Sequence, residues 1–150
     1  MNRRRIMLQG QEVEEMKEWK TIERRVLEED TKSISIDIPN AKEVMLVFYG
    51  RENSLEDNKA SGGGSDGLRI NGNTVSNAML TYIRPQGANF YTIVYAKVIN
   101  GYIDGTISPK GSNAISGFSN VITNADYIRD IYLVTNNYFK KESWVEVYYR

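Results

Sequence analysis

The sequence of 150 residues contains no cysteine and no histidine. The first absence removes disulfides, a thiolate nucleophile and cysteine-ligated zinc, and leaves the compartment open. The second removes the commonest general base and the commonest metal ligand near neutral pH. Charge of one sign is not in excess. Lys plus Arg and Asp plus Glu number 19 each, which argues against a general nucleic-acid binder, whose footprint is a basic surplus. No stretch approaches the ~20 apolar residues of a membrane span. Met1–Leu8 begins with a basic run but has neither the apolar region nor the cleavage site of a signal peptide. Arg3, Arg4 and Arg5 read as a solvated end, with contact to nucleic acid or an anionic surface as the alternative. The run Ser61-Gly62-Gly63-Gly64-Ser65 lacks the Gly-Lys-Ser/Thr and following helix of a phosphate loop. The acids Glu52, Glu56, Asp57 and Asp66 lack the spacing of a calcium loop. No catalytic residue, metal site or cofactor is therefore expected.

What is present is strand signal. At this length one domain with a real core is the default, and ten Tyr with two Trp suit both strands and binding surfaces. Ile34, Ile36 and Ile38 share one face opposite Ser33, Ser35 and Asp37, a half-buried strand ended by Pro39-Asn40. The charged stretch Thr21–Leu27 suits a sheet edge. Val44–Tyr49 is apolar throughout, so it predicts a central strand, or one whose outer face meets a protein neighbour. Shorter runs follow at Gly67–Ile70, Asn77–Arg84, Asn89–Val98 and Tyr102–Ser108. The pairs Asn71-Gly72 and Asn100-Gly101 make tight turns between them. Arg51–Asp66 has too few apolar side chains for a core and reads as a long loop. The Gly/Ser/Asn-rich stretch Lys110–Asp126 reads as a loop pinned by Ile115, Phe118, Val121 and Ile122. In the last stretch Ile128–Val134 alternates. After polar residues, Trp144, Glu146 and Tyr148 alternate with Val145 and Val147. The valines are assigned inward, because a carboxylate shares the other face.

Residues 2–18 are the one segment with helical character. Ile6, Val13 and Met16 share a face at spacings of seven and three, and Gly10 weakens the middle. The organisation expected is an N-terminal helix over 1–18 and a mostly β domain over 19–150. That domain is an antiparallel β-sandwich. The expected core is Ile34, Ile36, Ile38, Val44, Leu46, Phe48, Leu80, Ile93, Tyr95, Ile131, Leu133, Val145 and Val147. The helical stripe either folds back on the sandwich edge or joins copies of the chain through Ile6, Val13 and Met16.

Two patches resemble a known family. The run Ile128-Arg129-Asp130-Ile131-Tyr132-Leu133, then Phe139, then Ser143-Trp144-Val145-Glu146-Val147-Tyr148 resembles an "I-x-x-I" strand, a loop with Phe and a "G-S-x-V-x-V-Y-G" finish. Glu142 stands in place of the first Gly and Tyr149 in place of the last. Trp19-Lys20-Thr21-Ile22, Leu27-Glu28-Glu29-Asp30 and Ser33–Ile38 resemble the opening strands of the same modules. These are jelly-roll modules of tail, baseplate and receptor-binding proteins of phages and prophages of Gram-positive bacteria. Together the patches cover about a third of the chain.

The resemblance implies a jelly-roll-like sandwich and a non-enzymatic virion structural protein. Such a protein is a tail, baseplate or appendage component with a role in assembly or host-surface adhesion. It implies assembly in the bacterial cytoplasm, location in the virion, and a homo-oligomer, with a trimer the first expectation, or contact with other virion proteins. The alternative from another class is a carbohydrate-binding module, since such sandwiches host both. A glycan-active enzyme with paired carboxylates is the third, and no pair of acids stands out for it. If a cell-surface glycan is the partner, Tyr82, Tyr91, Tyr102, Trp144 and Tyr148 are the candidate stacking residues. For any one of them, cross-strand packing is the competing role.

Overall fold

The computed structural model describes residues 5–8, 11–14, 18–50, 67–75, 90–109 and 116–150. Among these the secondary structure is all strand, and every pairing is antiparallel. β1 (Arg5–Leu8) and β2 (Gln11–Glu14) pair with each other. β3 (Lys20–Val26), β5 (Glu43–Gly50), β8 (Phe90–Ile99), β9 (Tyr102–Pro109), β10 (Ser116–Thr123) and β12 (Trp144–Tyr149) form a six-stranded sheet in the order β10-β9-β8-β5-β12-β3. β4 (Thr31–Ala41), β6 (Gly67–Ile70), β7 (Asn73–Val75) and β11 (Ile128–Phe139) form a four-stranded sheet in the order β4-β11-β6-β7.

Alternation explains why the sheets enclose one core. Val44, Leu46 and Phe48 of β5 are buried, as are Val145 and Val147 of β12, while the intervening residues stay partly exposed. The four-stranded sheet supplies Ile34, Ile36, Ile38, Leu68, Ile70, Ile131 and Leu133 to the same cluster. Each such side chain contributes about 1.5–3 kcal/mol on leaving water. Phe48 of one sheet meets Phe139 of the other edge to face, with ring centroids 5.0 Å apart.

The expected edge character of β3 holds. Its Arg25 reaches the other sheet and donates to the Ser35 carbonyl on edge strand β4 at 2.8 Å. The two Asn-Gly pairs make their turns: Asn71 and Gly72 have φ of 50° and 78°, Asn100 and Gly101 of 49° and 81°. Consecutive left-handed residues are what a tight hairpin twisted like its strands requires. β12 sits between β5 and β3, while β11 lies in the other sheet. The last two strands therefore neighbour each other in sequence without pairing.

Several expectations are corrected. Within the segment expected as a helix over 1–18, Arg5–Leu8 and Gln11–Glu14 are strands, β1 pairing with β2 and Ile6 in register with Val13. β-branched Ile6 and Val13 suit an extended chain. A stripe of three residues was too short to fix the period. Lys110–Asp126, expected as a loop, contains β10, whose pairing to β9 shifts register between Phe118 and Ile122. Tertiary pairing there overrides a weak local preference. β4 continues through Pro39 to Ala41, which an edge strand tolerates because proline's missing donor can face outward. β8 turns the opposite way from the expected core: Thr92, Val94 and Ala96 are buried, whereas Ile93 and Tyr95 are only half-buried. Leu80, Met16, the strand expected at Asn77–Arg84 and the loop expected at Arg51–Asp66 lie outside the described residues.

Candidate functional site

The side chains of the six-stranded sheet that point away from the core form rows set by strand register. Val26, Trp144, Tyr49 and Tyr91 make one such row across β3, β12, β5 and β8. The Tyr49 and Trp144 rings stack at 5.3 Å with 24° between their planes, and Tyr91 approaches Tyr49 at 4.9 Å and Trp144 at 6.0 Å. Directly opposed residues on neighbouring strands hold their Cβ atoms about 5 Å apart, so a matched register of aromatics closes into a ladder.

Arg24 completes the arrangement through a bulge. Val145 pairs with Arg25 and Val147 with Ile22, so Glu23 and Arg24 together face the single residue Glu146. An extra residue bends a strand and re-aims its side chains. The Arg24 guanidinium lies 3.9 Å above the Trp144 ring and grips Glu146 Oε1 through Nε at 2.7 Å and Nη2 at 2.6 Å. The other oxygen, Oε2, accepts the Tyr148 hydroxyl at 3.1 Å. That hydrogen bond to Glu146 raises the Tyr148 hydroxyl pKa above its ordinary value. Trp144 thus stands between Arg24 on the β3 side and Tyr49 on the β5 side. The residue itself is partly exposed. Tyr91 is the open aromatic of the row, 44% exposed, and Val26 at the other end is exposed as well.

Of the sequence candidates, Tyr91 and Trp144 come together. Tyr148 lies on the same face two positions beyond Glu146, with its hydroxyl already engaged. Tyr102 is exposed beside Ile99, at the opposite end of β8 and β9 from the row, about 26 Å from Tyr91 by strand rise. Tyr82 lies outside the described residues. Ile6 and Val13 are register partners in the β1–β2 pair, and Met16 lies outside the described residues. Tyr49, Arg24 and Glu146 were not singled out from sequence. The signal for Tyr49 was there, since the apolar run Val44–Tyr49 required something on its outer face. Nothing local marked Arg24, because the bulge that aims it depends on pairing with a strand 122 residues away.

A second polar cluster holds the far end of the same face. Glu43 accepts the Tyr95 hydroxyl at 2.8 Å and the Arg150 guanidinium at 3.3 Å. Burial by itself would raise the Glu43 pKa; the hydrogen bonds from Tyr95 and Arg150, with the charges of Arg150 and Lys97, outweigh it and hold the group below its ordinary range. Burial, then the bond to Glu43, pushes the Tyr95 hydroxyl up. Arg150 also lies 4.3 Å above the Trp19 ring.

Among the described residues no cluster of three or more His, Cys, Asp or Glu is arranged to hold a metal ion, and no helix is long and apolar enough to cross a membrane. No protein-family model matches the chain, and a comparison with curated proteins finds no match.

Proposed function

We propose that the chain is a non-enzymatic jelly-roll module. Strand order supports this finer reading. β3-β12-β5-β8 lies in one sheet and β4-β11-β6-β7 in the other, the interleaving of a jelly roll, with β9 and β10 added beyond β8. Within that class we read it as a virion structural protein of the phage type, a tail, baseplate or appendage component serving assembly or host-surface adhesion. One observation carries this reading: the two patches of family resemblance meet in space. The Leu27 amide donates to the Ser143 carbonyl, and the Glu142 amide donates to the Leu27 carbonyl, each at 2.8 Å. The Asp30 carboxylate accepts the Lys141 amide at 2.8 Å. The opening "L-E-E-D" turn thus braces the closing "E-S" turn. Purified protein examined by light scattering and electron microscopy is expected to give rings or small closed oligomers, a trimer first. A chain that stays monomeric at high micromolar concentration and binds nothing on a glycan array sinks the reading.

The second reading, a carbohydrate-binding module, is favoured by the exposure of Tyr91 at the end of the aromatic row. A glycan array that gives a sharp neutral-sugar specificity abolished by Tyr91→Ala, from protein that forms no assembly, selects it.

A further inference from the structure

The end of the sandwich where β3 and β11 begin and β12 finishes carries an open cleft of about 590 Å³. Lys20, Arg129 and Arg150 line it with one acid, Glu18, and Ile38 and Tyr149 belong to its lining as well. The register explains the opening. Ile128 pairs with Ala41 and Asp130 with Asp37, so Arg129 alone faces Ile38, Pro39 and Asn40. The surplus residues of β4 interrupt the ladder there, and such a bulge bends the strand that carries it.

The cations of this cleft are not equivalent. Arg150 is held by Glu43 and rests on Trp19, which fixes it as part of the wall. Lys20 and Arg129 are exposed, and among the described residues no acid pairs with either. A solvated cation beside a fixed one, in a cleft that a partly buried tyrosine also lines, matches a ligand with a negative group and an apolar ring face. Charge-assisted hydrogen bonds from a guanidinium and an ammonium are the strong polar contacts for such a group. An aromatic side chain supplies apolar area to the rest.

We propose that this cleft binds an anionic saccharide unit, its carboxylate or phosphodiester held by Arg129 and Lys20 and its ring against Tyr149. The proposal rests on the adhesion reading and names the chemistry of the surface partner. It places that partner at the cleft, away from the aromatic row.

The test is calorimetric titration of the full chain with polygalacturonate, which bears carboxylates, with poly(glycerol phosphate), which bears phosphodiesters, and with neutral dextran. One polyanion is expected to bind and dextran not to. Whichever polyanion binds identifies the acid. Arg129→Ala and Lys20→Ala should each weaken binding at least about tenfold, and Glu18→Gln should strengthen it. Arg69→Ala removes an exposed arginine of β6 from outside the cleft and should leave it unchanged; circular dichroism checks that all four variants fold. Equal binding of dextran, equal loss from Arg69→Ala, or unchanged affinity in both cleft variants overturns the proposal. Absence of polyanion binding in protein that still forms closed oligomers also overturns it, while leaving the virion reading standing.

Discussion

Trp144 and Val147 lie three residues apart on one strand, on opposite faces, and their substitutions should have opposite outcomes. Trp144→Ala removes a ring stacked 5.3 Å from Tyr49 and covered by Arg24 at 3.9 Å. An aromatic pair is worth about 0.5–1.5 kcal/mol and an exposed cation–π contact about 0.5–1 kcal/mol beyond buried area. These two contacts together come to ~1–2.5 kcal/mol, against a stability of about 5–15 kcal/mol for an ordinary domain. The variant should stay folded and melt lower by about 2–4 °C per kcal/mol lost. Val147 is 2% exposed and sits opposite Leu46 and Ile22. Val147→Asp forfeits about 1.5–3 kcal/mol of apolar burial. It also buries a carboxylate between two apolar register partners, which costs several kcal/mol more. Together these approach the whole stability, and no soluble native protein is expected. Far-UV circular dichroism melts and urea titrations of the two variants decide the matter. An unfolded Trp144→Ala protein beside a native Val147→Asp protein would refute the face assignment and with it the identification of the aromatic row as a surface.

Three further outcomes are expected. A double-mutant cycle on Phe48→Leu and Phe139→Leu, followed by urea unfolding, should show a coupling of about 0.5–1.5 kcal/mol from the inter-sheet ring pair; strictly additive singles would mean the rings do not act together. Glu142 holds a φ of 72°, at the position where the resembled pattern has Gly, so Glu142→Gly should raise stability by about 1 kcal/mol, read as a higher thermal midpoint. Glu43 has a folded pKa below its ordinary 4.5, so its contribution is present above that value and fades as pH falls through the lowered one. Glu43→Gln should therefore destabilise at pH 7, with the gap to the unaltered chain narrowing below about pH 4; a gap constant down to pH 2 would show that its ionisation contributes nothing.

Alternation made much of the sandwich legible. β5 matches the apolar run at Glu43–Gly50, and β12 turns its valines inward because Glu146 shares the face of Trp144 and Tyr148. The same logic failed on β8, where both faces are apolar. Phe90, Thr92, Val94, Ala96 and Val98 compete with Tyr91, Ile93 and Tyr95, and the local pattern does not choose between them. The register decides otherwise, since Val94 lies opposite Leu46 and Ala96 opposite Val44, both core residues. β10 was missed because its glycine, serines and asparagine have low strand preference, and its pairing comes from the exposed edge of β9. The candidate row was half legible. Tyr91 and Trp144 were visible as aromatics, but their meeting depends on the register of β8, β5 and β12, which no local pattern encodes.

The two outer features are linked by one strand. β12 enters the six-stranded sheet between β5 and β3, pairing with residues about a hundred positions earlier, the kind of closure whose entropy must be met before its contacts form. Its first residue, Trp144, anchors the aromatic row, and its last, Tyr149, lines the cationic cleft. The strand's own length, about 17 Å over five residue steps, sets their separation. Pairing on both sides keeps that distance rigid. Two strand irregularities then shape the ends: the β3 bulge that aims Arg24 at Trp144, and the β4 bulge that opens the cleft beside Arg129. Both bulges fall on edge strands, where an extra residue disturbs only one ladder. The sheet centre carries stability, and its edges, free to deform, carry the shape of the surfaces a partner would meet.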